Sequence, residues 1–574
     1  MASITNKTNL FFVTSPRTPA KMKEEIRLLV DDFTGKIWPG NRSLQAKYFL
    51  QLAKSEFYQT TQSIEELEAR SEASLSQAGR DRVTRGPKSY GFVNLDPIAL
   101  TPAGDAYING PRPHEAFTRQ IVKFQMPSPH PYHVDKGKTY SIKPYLEMLR
   151  LIQETGSLSK DEIAAFVMPM VHVNMYSDIK QRILDFRKLL VEADRSKTNY
   201  SRLYDKAYTE EIKRCYAEQI QKKNFSTRES ATETLKEFAK KKKETHRDYA
   251  DAAFRWLRET NLVTIRSSRS TRLRIPVEKV REVEYILEGT NRAPVFTDDR
   301  KAYESYLYAS DTPKLLTDDA GNLIADIAAL PDSPKVEDLQ ELSLQALKAT
   351  KDSLIAAKVE ATMQAQIEAL EAYDDYDDIV SLYDDIVGRN VIDRPLMMEW
   401  NTWRAFVMLD DGKVEGAFNV DSAGMPLSTA PGNTADITCR YNNFDMTVEV
   451  TLSAGQRQAY MEMEPVPRHL GRLANESEKE TYCIFVAQRL HEATLAHFFT
   501  LRRTNISMYG GEAKIVPLEL DDFRVMLKKA KEAENRPTAK SIERFVTKAS
   551  ALTLEAQTPK KWYDQVAALA RDWI

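Results

Sequence analysis

The stretch TADITCRYNNFDMTVEVTLSAGQRQAYMEMEP, residues 434–465, decides how the last third of the chain folds. Its segments TADITCRY and NFDMTVEVTL are short runs rich in β-branched and apolar residues, which predict two consecutive strands. The polar segment AGQRQAYMEMEP then predicts a helix. A helix, PLMMEWNTWRAFVML, and a glycine-containing hairpin region at about 410–433 precede this stretch, and the strands TYCIFVA and KIVPLEL follow it. This order of elements predicts a small α/β domain with a mixed sheet.

Two acidic residues lie on the predicted strands. Asp436 stands at the start of the first, and Glu449 stands thirteen residues later on the second. Because side chains alternate across a strand, Glu449 and Thr451 point to one face and Val450 to the other. Adjacent strands would bring both acids within reach of one ion. Carboxylate oxygens bind Mg²⁺, which polarises a scissile phosphate and lowers the pKa of an attacking water, as phosphodiester hydrolysis requires.

Two further acids accompany this pair. Glu399 lies on the preceding helix and Glu462 on the following one, each beside apolar neighbours. Buried acids cost free energy unless they are paired or coordinate a metal, so the four acids form a candidate ion site. The alternative is that Glu399 and Glu462 lie at solvated helix edges.

The composition is that of an ordinary globular protein of more than one domain. The chain has 574 residues, of which 42% are hydrophobic and 29% charged, and one core seldom serves so long a chain. No stretch approaches the roughly 18–20 apolar residues of a membrane-spanning helix, and the start lacks a basic segment leading into an apolar run. We expect a cytoplasmic protein without a membrane partner. The three isolated cysteines support neither a disulfide framework nor a zinc site.

The net charge of −2 hides a strong asymmetry along the chain. Residues 1–290 hold 49 Lys and Arg against 37 Asp and Glu, whereas residues 291–390 hold 9 against 21. The basic part suits a polyanionic partner, and the acidic part would be repelled by it. The alternative is that both are merely solvated helix faces.

Two parts of the basic region resemble DNA-reading units. KPYLEMLRLIQETGSLSKDEIAAFVM predicts two helices with a break at Gly156, the second opened by a capping box from Ser159 to Glu162. Downstream, a helix ending near Thr260 and a basic hairpin resemble the wing of a winged-helix domain. The hairpin carries the candidate DNA contacts Arg266, Arg269, Arg272 and Arg274. Its alternative is a solvated edge hairpin protected against aggregation.

Upstream, SQAGRDRVTRGPKSYGFVNLDPIALTPAGDAYI predicts a basic loop, a short strand and a helix beginning near Thr101 and Pro102. The loop carries the further candidate DNA contacts Arg80, Asp81, Arg82, Arg85 and Lys88. At about 337–387 the chain is almost free of glycine and proline, which predicts one or two long helices. Its aspartates lack the glycine turn and closing glutamate of a calcium loop, so we interpret it as an acidic helical spacer.

Several separate blocks resemble one nuclease family. The strings MEWNTW, APGNTADI, VEVTLSAGQRQ and MEMEPVPRH are similar to the catalytic blocks of the AlwI-type IIS restriction endonucleases and their nicking relatives. RDRV, KSYGF and LTPAG are similar to the recognition region of the same family, so the resemblance spans nearly the whole chain. The cutting domain of that family has the PD-(D/E)XK nuclease fold.

The resemblance implies a set of site residues. The metal-binding acids of the family fall on Glu399, Asp436, Glu449 and Glu462, and the carbonyl of Val450 adds a ligand for Mg²⁺. Where the general nuclease motif has lysine this chain has Thr451, and Gln456 or Arg457 on the next helix are candidates for the missing role. His469 matches a family block, and we interpret it as a structural histidine.

The implied architecture is multidomain. It has two mainly α-helical, winged-helix-like recognition subdomains at 1–140 and 141–290, an acidic helical linker at 291–390 and an α/β PD-(D/E)XK nuclease domain with a mixed sheet at 391–574. The implied activity is that of a type IIS enzyme, a type II site-specific deoxyribonuclease. Such an enzyme recognises a short asymmetric duplex DNA sequence and cuts at a fixed distance outside it.

One such site cuts one strand per engagement. A double-strand break therefore requires a transient homodimer or a separate small nuclease subunit. The alternatives are a strand-specific nicking endonuclease, the large subunit of a heterodimeric restriction enzyme, a non-catalytic DNA-binding regulator and a coiled-coil adaptor. The four retained acids argue against the regulator, and the adaptor accounts for the helices at 337–387 and nothing else.

Overall fold

A computed structural model describes most of the chain. The described residues are 9–55, 58, 62–129, 140–193, 197–226, 234–265, 272–389, 391, 393–409, 412–429 and 434–574. The contacts divide the chain into two compact units. The first comprises residues 1–49, 71–266 and 271–356, and the second comprises residues 50–70, 267–270 and 357–574. No described helix is both long enough and apolar enough to span a membrane.

Helices make up most of the described structure. In chain order they are α1 (Met22–Phe33), α2 (Arg42–Lys54), α3 (Ile64–Glu68), α4 (Glu72–Arg85), α5 (Pro102–Ile108), α6 (Pro113–Lys123), α7 (Pro144–Thr155), α8 (Lys160–Glu162), α9 (Tyr176–Ala193), α10 (Lys197–Cys215), α11 (Ala217–Gln221), α12 (Leu235–Glu259), α13 (Val280–Gly289), α14 (Arg300–Tyr308), α15 (Ala320–Ile327), α16 (Val336–Gln340), α17 (Leu344–Glu371), α18 (Tyr376–Val387), α19 (Arg394–Leu409), α20 (Gln456–Glu462), α21 (Pro465–Glu476), α22 (Glu492–Leu501), α23 (Leu520–Glu532), α24 (Ala539–Glu555) and α25 (Pro559–Ala570).

The strands are short in the first unit and longer in the second. They are β1 (Val93–Leu95), β2 (Ile98–Leu100), β3 (Leu158–Ser159), β4 (Thr264–Ile265), β5 (Arg272–Arg274), β6 (Lys413–Gly416), β7 (Phe418–Val420), β8 (Pro426–Thr429), β9 (Ile437–Arg440), β10 (Phe444–Thr451), β11 (Glu480–Ala487) and β12 (Ile515–Glu519).

The first unit contains the predicted helix pair and hairpin. Helix α7 ends at Gly156, which has φ +76°, and the side chain of Ser159 accepts from the backbone of Glu162 in the predicted capping box. Beyond α8 the chain continues as a π-helix, Ile163–Val167. Strand β5 pairs antiparallel with both β4 and β3, so the hairpin is joined by a third strand that the sequence analysis did not predict.

The basic stretch around Arg80 is helical, and the prediction of a loop there was wrong. It lies in α4, which is capped by Ser71 and buries Leu75 and Val83. Gly79 is a packing residue, because a Cβ at that position would lie 2.3 Å from the carbonyl oxygen of Gln45. The downstream prediction was correct, since Thr101 caps α5 with Pro102 as its first residue.

The second unit contains the predicted mixed sheet. Its strand order is β12-β11-β10-β9-β6, with β10, β11 and β12 parallel and β9 antiparallel to both of its neighbours. Most residues of β10 and β11 are buried, as expected of central strands covered on both faces. Helix α19 packs on β10, and α21 packs on β10 and β11. In the predicted hairpin region, β6 joins the five-stranded sheet, whereas β7 and β8 form a separate two-stranded sheet.

The acidic region forms the two helices that its composition predicted, α17 and α18. The boundary between the compact units, at residues 356 and 357, falls within α17.

Helix α21 packs closely on a 3₁₀ turn, Ser507–Tyr509, at Gly471. A Cβ at Gly471 would lie 2.3 Å from the carbonyl oxygen of Met508, so Gly471→Ala forces backbone atoms apart. We expect this substitution to lower the free energy of unfolding by about 1–3 kcal/mol, the usual cost of overpacking. Denaturant unfolding monitored by circular dichroism measures the change. Asn475→Ala, at an exposed position of the same helix, is the control and should leave stability unchanged. Equal stability of both variants would contradict the packing role of Gly471.

Candidate active site

Asp436 and Glu449 face each other across an antiparallel strand pair. Ile437 of β9 pairs with Val448 of β10, so the two acids occupy the next position of the ladder. The backbone N–H of Val450 donates to Asp436 Oδ2 at 2.8 Å. The carboxylate of Glu449 in turn lies near the backbone N–H of Asp436. Each carboxylate therefore lies against a backbone amide of the strand that carries the other.

Glu462 reaches the same place from helix α20. The chain leaves β10 at Thr451, turns through Gly455 with φ +61°, and enters α20, whose last residue is Glu462. Burial, and after it the nearby charge of Asp436, raise the pKa of the Glu462 carboxyl, which shows that it lies near the strand acids. The structure thus brings Asp436, Glu449 and Glu462 together, and we call these three residues the acidic site.

His469 belongs to this site, although the sequence analysis interpreted it as structural. It lies on α21, and its Nδ1 is 2.8 Å from Oε1 of Glu449. Its Nε2 is buried and has no hydrogen-bond partner among the described residues. The sequence feature that could have indicated this is the position of the histidine, on the helix directly after the acidic segment MEMEP. Sequence spacing could not show which strand residue this histidine would contact.

Burial and mutual repulsion dominate the electrostatics of the acidic site. Burial, followed by the charge of Glu462, raises the pKa of Glu449 well above its usual range. Burial and then the charge of Glu449 raise the pKa of Asp436. Burial raises the pKa of Glu462 to about 7, and it lowers the pKa of His469 to about 4. The site therefore holds more negative charge than its surroundings stabilise, which a bound cation would relieve.

The donor set fits Mg²⁺ in kind. Among the described residues no group of three or more acidic, histidine or cysteine side chains is arranged as a ready metal site. Mg²⁺ does not require three protein side chains as ligands, because it is usually bound by one or two carboxylates together with water and substrate phosphates. Asp436 and Glu449 supply two such carboxylates on adjoining strand positions.

The other predicted catalytic residues lie on helices α19 and α20. Glu399 is half-buried on α19, the helix that packs on β10, and its membership of the ligand set stays a prediction. Gln456 and Arg457 are exposed in the first turn of α20. Gln458, which the sequence analysis missed, is fully buried and anchors that helix, because its Nε2 donates to the carbonyls of Ser453 and Arg489.

The predicted DNA contacts around α4 differ in exposure. Arg80 and Arg85 are exposed, and Asp81 forms an ion pair with Arg85. Arg82 Nη1 lies 3.0 Å from Oε1 of the buried Glu25, so this arginine balances an internal charge. The side chain of Lys88 is buried, and burial lowers its pKa. Lys88 is therefore not presented to a ligand in this structure, contrary to its predicted place on an open loop.

The hairpin arginines also differ in their exposure and in their partners. Arg272 of β5 and Arg187 of α9 both bind the buried carboxylate of Glu162, with Arg272 Nη1 3.0 Å from Oε2. Arg274 is exposed on the same strand. Arg266 and Arg269 lie outside the described residues. Arg274 is thus the hairpin arginine that the described structure leaves open to solvent.

Comparison with known proteins identifies the family. The model of the AlwI restriction endonuclease family matches residues 89–526. The chain belongs to the AlwI restriction endonuclease family. It is therefore a restriction endonuclease, a nuclease that acts on DNA, and the resemblance to this family is confirmed, although the block RDRV at residues 80–83 precedes the matched range. The matched segment includes the whole acidic site and His469.

One solved structure similar to this AlwI-family chain is the small subunit, R.BspD6I2, of the heterodimeric restriction endonuclease R.BspD6I. The two share 22% sequence identity, and the match covers 34% of this chain and 95% of that subunit with a TM-score of 0.28. At that TM-score the assignment rests on the family match alone. No curated protein sequence matches the chain.

Without a bound metal ion, the buried and closely spaced carboxylates of the acidic site should destabilise the folded state of this AlwI-family enzyme. Asp436→Asn keeps an oxygen for the N–H of Val450 and removes one charge. The pKa of Asp436 is raised in the folded state, so the stability present at low pH is lost as the pH rises through that pKa. In EDTA the variant should therefore be more stable than the native protein at about pH 9, by about 1 kcal/mol or more, and the difference should shrink toward about pH 5.

Thermal unfolding at several pH values measures this difference. Glu478→Gln, which removes an exposed carboxylate of the same unit, is the control and should show little change. An Asp436→Asn protein that is less stable than the native one at high pH would show that the carboxylate is stabilised where it stands.

Arg272 and Arg274 provide a matched pair in the AlwI-family recognition region. Arg272→Ala removes one of two partners of a buried carboxylate, so we expect unfolding to become easier by about 1–3 kcal/mol. Arg274→Ala removes an exposed side chain two residues away on β5 and should change stability by less than about 0.5 kcal/mol. Chemical denaturation of both variants makes the comparison. The structural assignment of Arg272 fails if the two variants are equally stable.

Proposed function

We propose that this restriction endonuclease is a type IIS, Mg²⁺-dependent enzyme. It reads a short asymmetric duplex sequence through its N-terminal half and hydrolyses phosphodiester bonds at a fixed distance outside that sequence. The observation that supports this proposal is the acidic site, in which Asp436 and Glu449 are held by each other's strand and Glu462 joins them. Such a site on a mixed sheet with flanking helices is what a PD-(D/E)XK nuclease domain requires.

The proposed Mg²⁺ ligands are Asp436, Glu449, the carbonyl of Val450 and Glu462, with Glu399 as a further acid of the site. When bound, Mg²⁺ supplies polarisation of the scissile phosphate and acidification of a water molecule. The residues of the chain orient the ligands. Nδ1 of His469, 2.8 Å from Oε1 of Glu449, donates to that oxygen when the carboxylate is ionised. A hydrogen bond of this kind fixes the direction in which a ligand points.

Glu462 is our candidate for moving the proton. The carboxyl stands at the end of α20 near Asp436, and a general base must lie within hydrogen-bond reach of the water that it deprotonates. In the proposed reaction its carboxylate accepts the proton of the attacking water. Gln456 and Arg457, exposed at the start of α20, remain our candidates for orienting that water or the phosphate.

The first unit supports a recognition role. Helices α7, α8 and α12 accompany the three-stranded antiparallel sheet β3-β5-β4, an arrangement that fits the proposed winged-helix subdomain. Exposed arginines are suited to contact phosphates or guanine edges, so we propose Arg80, Arg85 and Arg274 as DNA contacts. Arg82 and Arg272 would support this surface from within.

The number of strands cut depends on partners. The part of the chain that the structure describes carries one acidic site of this kind, and one site cuts one strand per engagement. We propose that a double-strand break requires a transient homodimer or a separate small nuclease subunit, and that without either the protein nicks.

Plasmid cleavage tests the proposal. Native protein, Asp436→Asn and Glu478→Gln are incubated with supercoiled plasmids of known sequence, with Mg²⁺ or with EDTA, and the ends are mapped by run-off sequencing. We expect the native protein and Glu478→Gln to cleave with Mg²⁺ and not with EDTA. Asp436→Asn should cleave at least about 100-fold more slowly, because removing a metal ligand should cost more than the roughly 10- to 100-fold lost when a residue that orients a ligand is removed.

The mapped ends decide the finer points. Ends at one fixed distance, on one side of a shared asymmetric sequence, support type IIS cleavage, whereas ends within the shared sequence would contradict it. Open-circular product indicates nicking, and linear product indicates cleavage of both strands. Cleavage in EDTA, or full activity of Asp436→Asn, would overturn the assignment of the acidic site.

A further inference from the structure

Gln458 is a fully buried amide on α20, the helix that ends with Glu462. The helix has seven residues, and its N-cap, Gly455, has no side chain to bind the first N–H groups. A helix of this length is not stable by itself in water, so contacts with the rest of the unit decide where it lies. Burial of an amide costs free energy unless its polar atoms are paired. The partners of Gln458 therefore show what holds α20.

The amide of Gln458 is paired with main-chain groups on both of its sides. Its Nε2 donates to the carbonyls of Ser453, at 3.0 Å, and Arg489, at 2.7 Å. Its Oε1 accepts from the backbone N–H of His491 at 2.7 Å. An amide carries two hydrogens on its nitrogen and lone pairs on its oxygen, so two carbonyls and one N–H fit it in one orientation only. The side chain is therefore fixed to the backbone at three points.

These three points stand where the two central strands of the sheet end. Ser453 follows β10 by two residues, and Arg489 and His491 follow β11 by two and four residues. The two strands are parallel, and their last residues pair with each other. Glu449 lies two residues before the end of β10, so this is also the edge of the sheet at which the acidic site lies. Gln458 thus fastens α20 to the edge that carries the site.

Gln458 and Glu462 share one face of α20. They are four residues apart, which places them one helical turn from each other on the same side. Gln456 and Arg457 are exposed, and Tyr460 is 60% exposed, so the opposite side of the helix faces solvent. The side that Gln458 attaches to the sheet edge is therefore the side that presents Glu462.

We propose that Gln458 is a positioning residue that fixes α20 against the ends of β10 and β11 and thereby sets where the carboxylate of Glu462 stands. Loss of its three bonds would let the helix move, and Glu462 would then no longer be held beside the strand acids. This inference rests on the proposed function, since it requires Glu462 to take part in cleavage. It assigns no contact between Gln458 and DNA or metal.

The test compares variants of the full chain in single-turnover cleavage of plasmid over a range of Mg²⁺ concentrations. Gln458→Met keeps the length of the side chain and removes its hydrogen bonds. Tyr563→Phe is the matched control, because it removes a hydrogen bond to Asp522 between α25 and α23 of the same unit. We expect Gln458→Met to cleave about 10- to 100-fold more slowly and to need at least about 10-fold more Mg²⁺ for half its maximal rate, the range for residues that orient a metal ligand. Tyr563→Phe should stay within about threefold of the native protein in both.

Three further measurements separate positioning from a general loss of stability. Hydrogen exchange in EDTA, followed by mass spectrometry, should show faster exchange of the α20 amides in Gln458→Met and not in Tyr563→Phe. If Gln458 acts through Glu462, then Gln458→Met should cause no further loss in a Glu462→Gln protein. Affinity for DNA in EDTA, measured by band shift, should be unchanged in every variant. If Gln458→Met does not fold, Gln458→Glu replaces it, because it keeps the acceptor for the N–H of His491 and loses the donors of Nε2.

The outcomes distinguish the two proposals. Unchanged exchange in α20, or native-like cleavage by Gln458→Met while Glu462→Gln is slow, overturns the positioning role alone. Equal losses in Gln458→Met and Tyr563→Phe, or weaker DNA binding by Gln458→Met, do the same. Additive losses in the double variant overturn it as well, since Gln458 would then act independently of Glu462. Native-like cleavage by Glu462→Gln overturns the catalytic role of Glu462 and, with it, the basis of this inference.

Discussion

Repulsion among three carboxylates is the constraint around which the second unit is built. Asp436, Glu449 and Glu462 raise each other's pKa in buried surroundings, so the fold must hold them together against their charge. It does so with directional bonds from neutral groups, among them the backbone N–H of Val450 on Asp436 and the imidazole of His469 on Glu449. None of these groups cancels the charge. The site therefore keeps negative charge without compensation, a condition that a bound divalent cation would relieve.

Buried carboxylates also change how the many basic residues of the N-terminal region should be interpreted. The excess of Lys and Arg suggested a surface for a polyanion, and membership of a restriction endonuclease family agrees with a DNA partner. Some of these basic side chains are used inside the protein, because Arg82 pairs with Glu25, and Arg187 and Arg272 pair with Glu162. The net charge already subtracts those acids, but the number of arginines overstates how many are available to a partner. The arginines proposed as DNA contacts are therefore the exposed ones.

Local periodicity predicted most of the elements, and long-range contacts account for what it missed. The strands and helices of the second unit follow runs whose pattern is complete within about ten residues. The helix α4 was mistaken for a loop because Gly79 serves close packing there instead of a turn. Of the site, the acids were predicted from their residue type and from family blocks. The contact of His469 with Glu449 depends on strand register and helix placement, which no local pattern encodes.

The short connection between β9 and β10 has a consequence for how such a chain can vary. Residues 441–443 form the turn, closed by a bond from the N–H of Tyr441 to the carbonyl of Phe444 and by the stacked rings of these two residues. Adding or deleting one residue there would slide β10 by one position and place a valine where Glu449 stands. Codon insertions and deletions in this turn would therefore be as damaging as loss of an acid, although none of its side chains takes part in the chemistry.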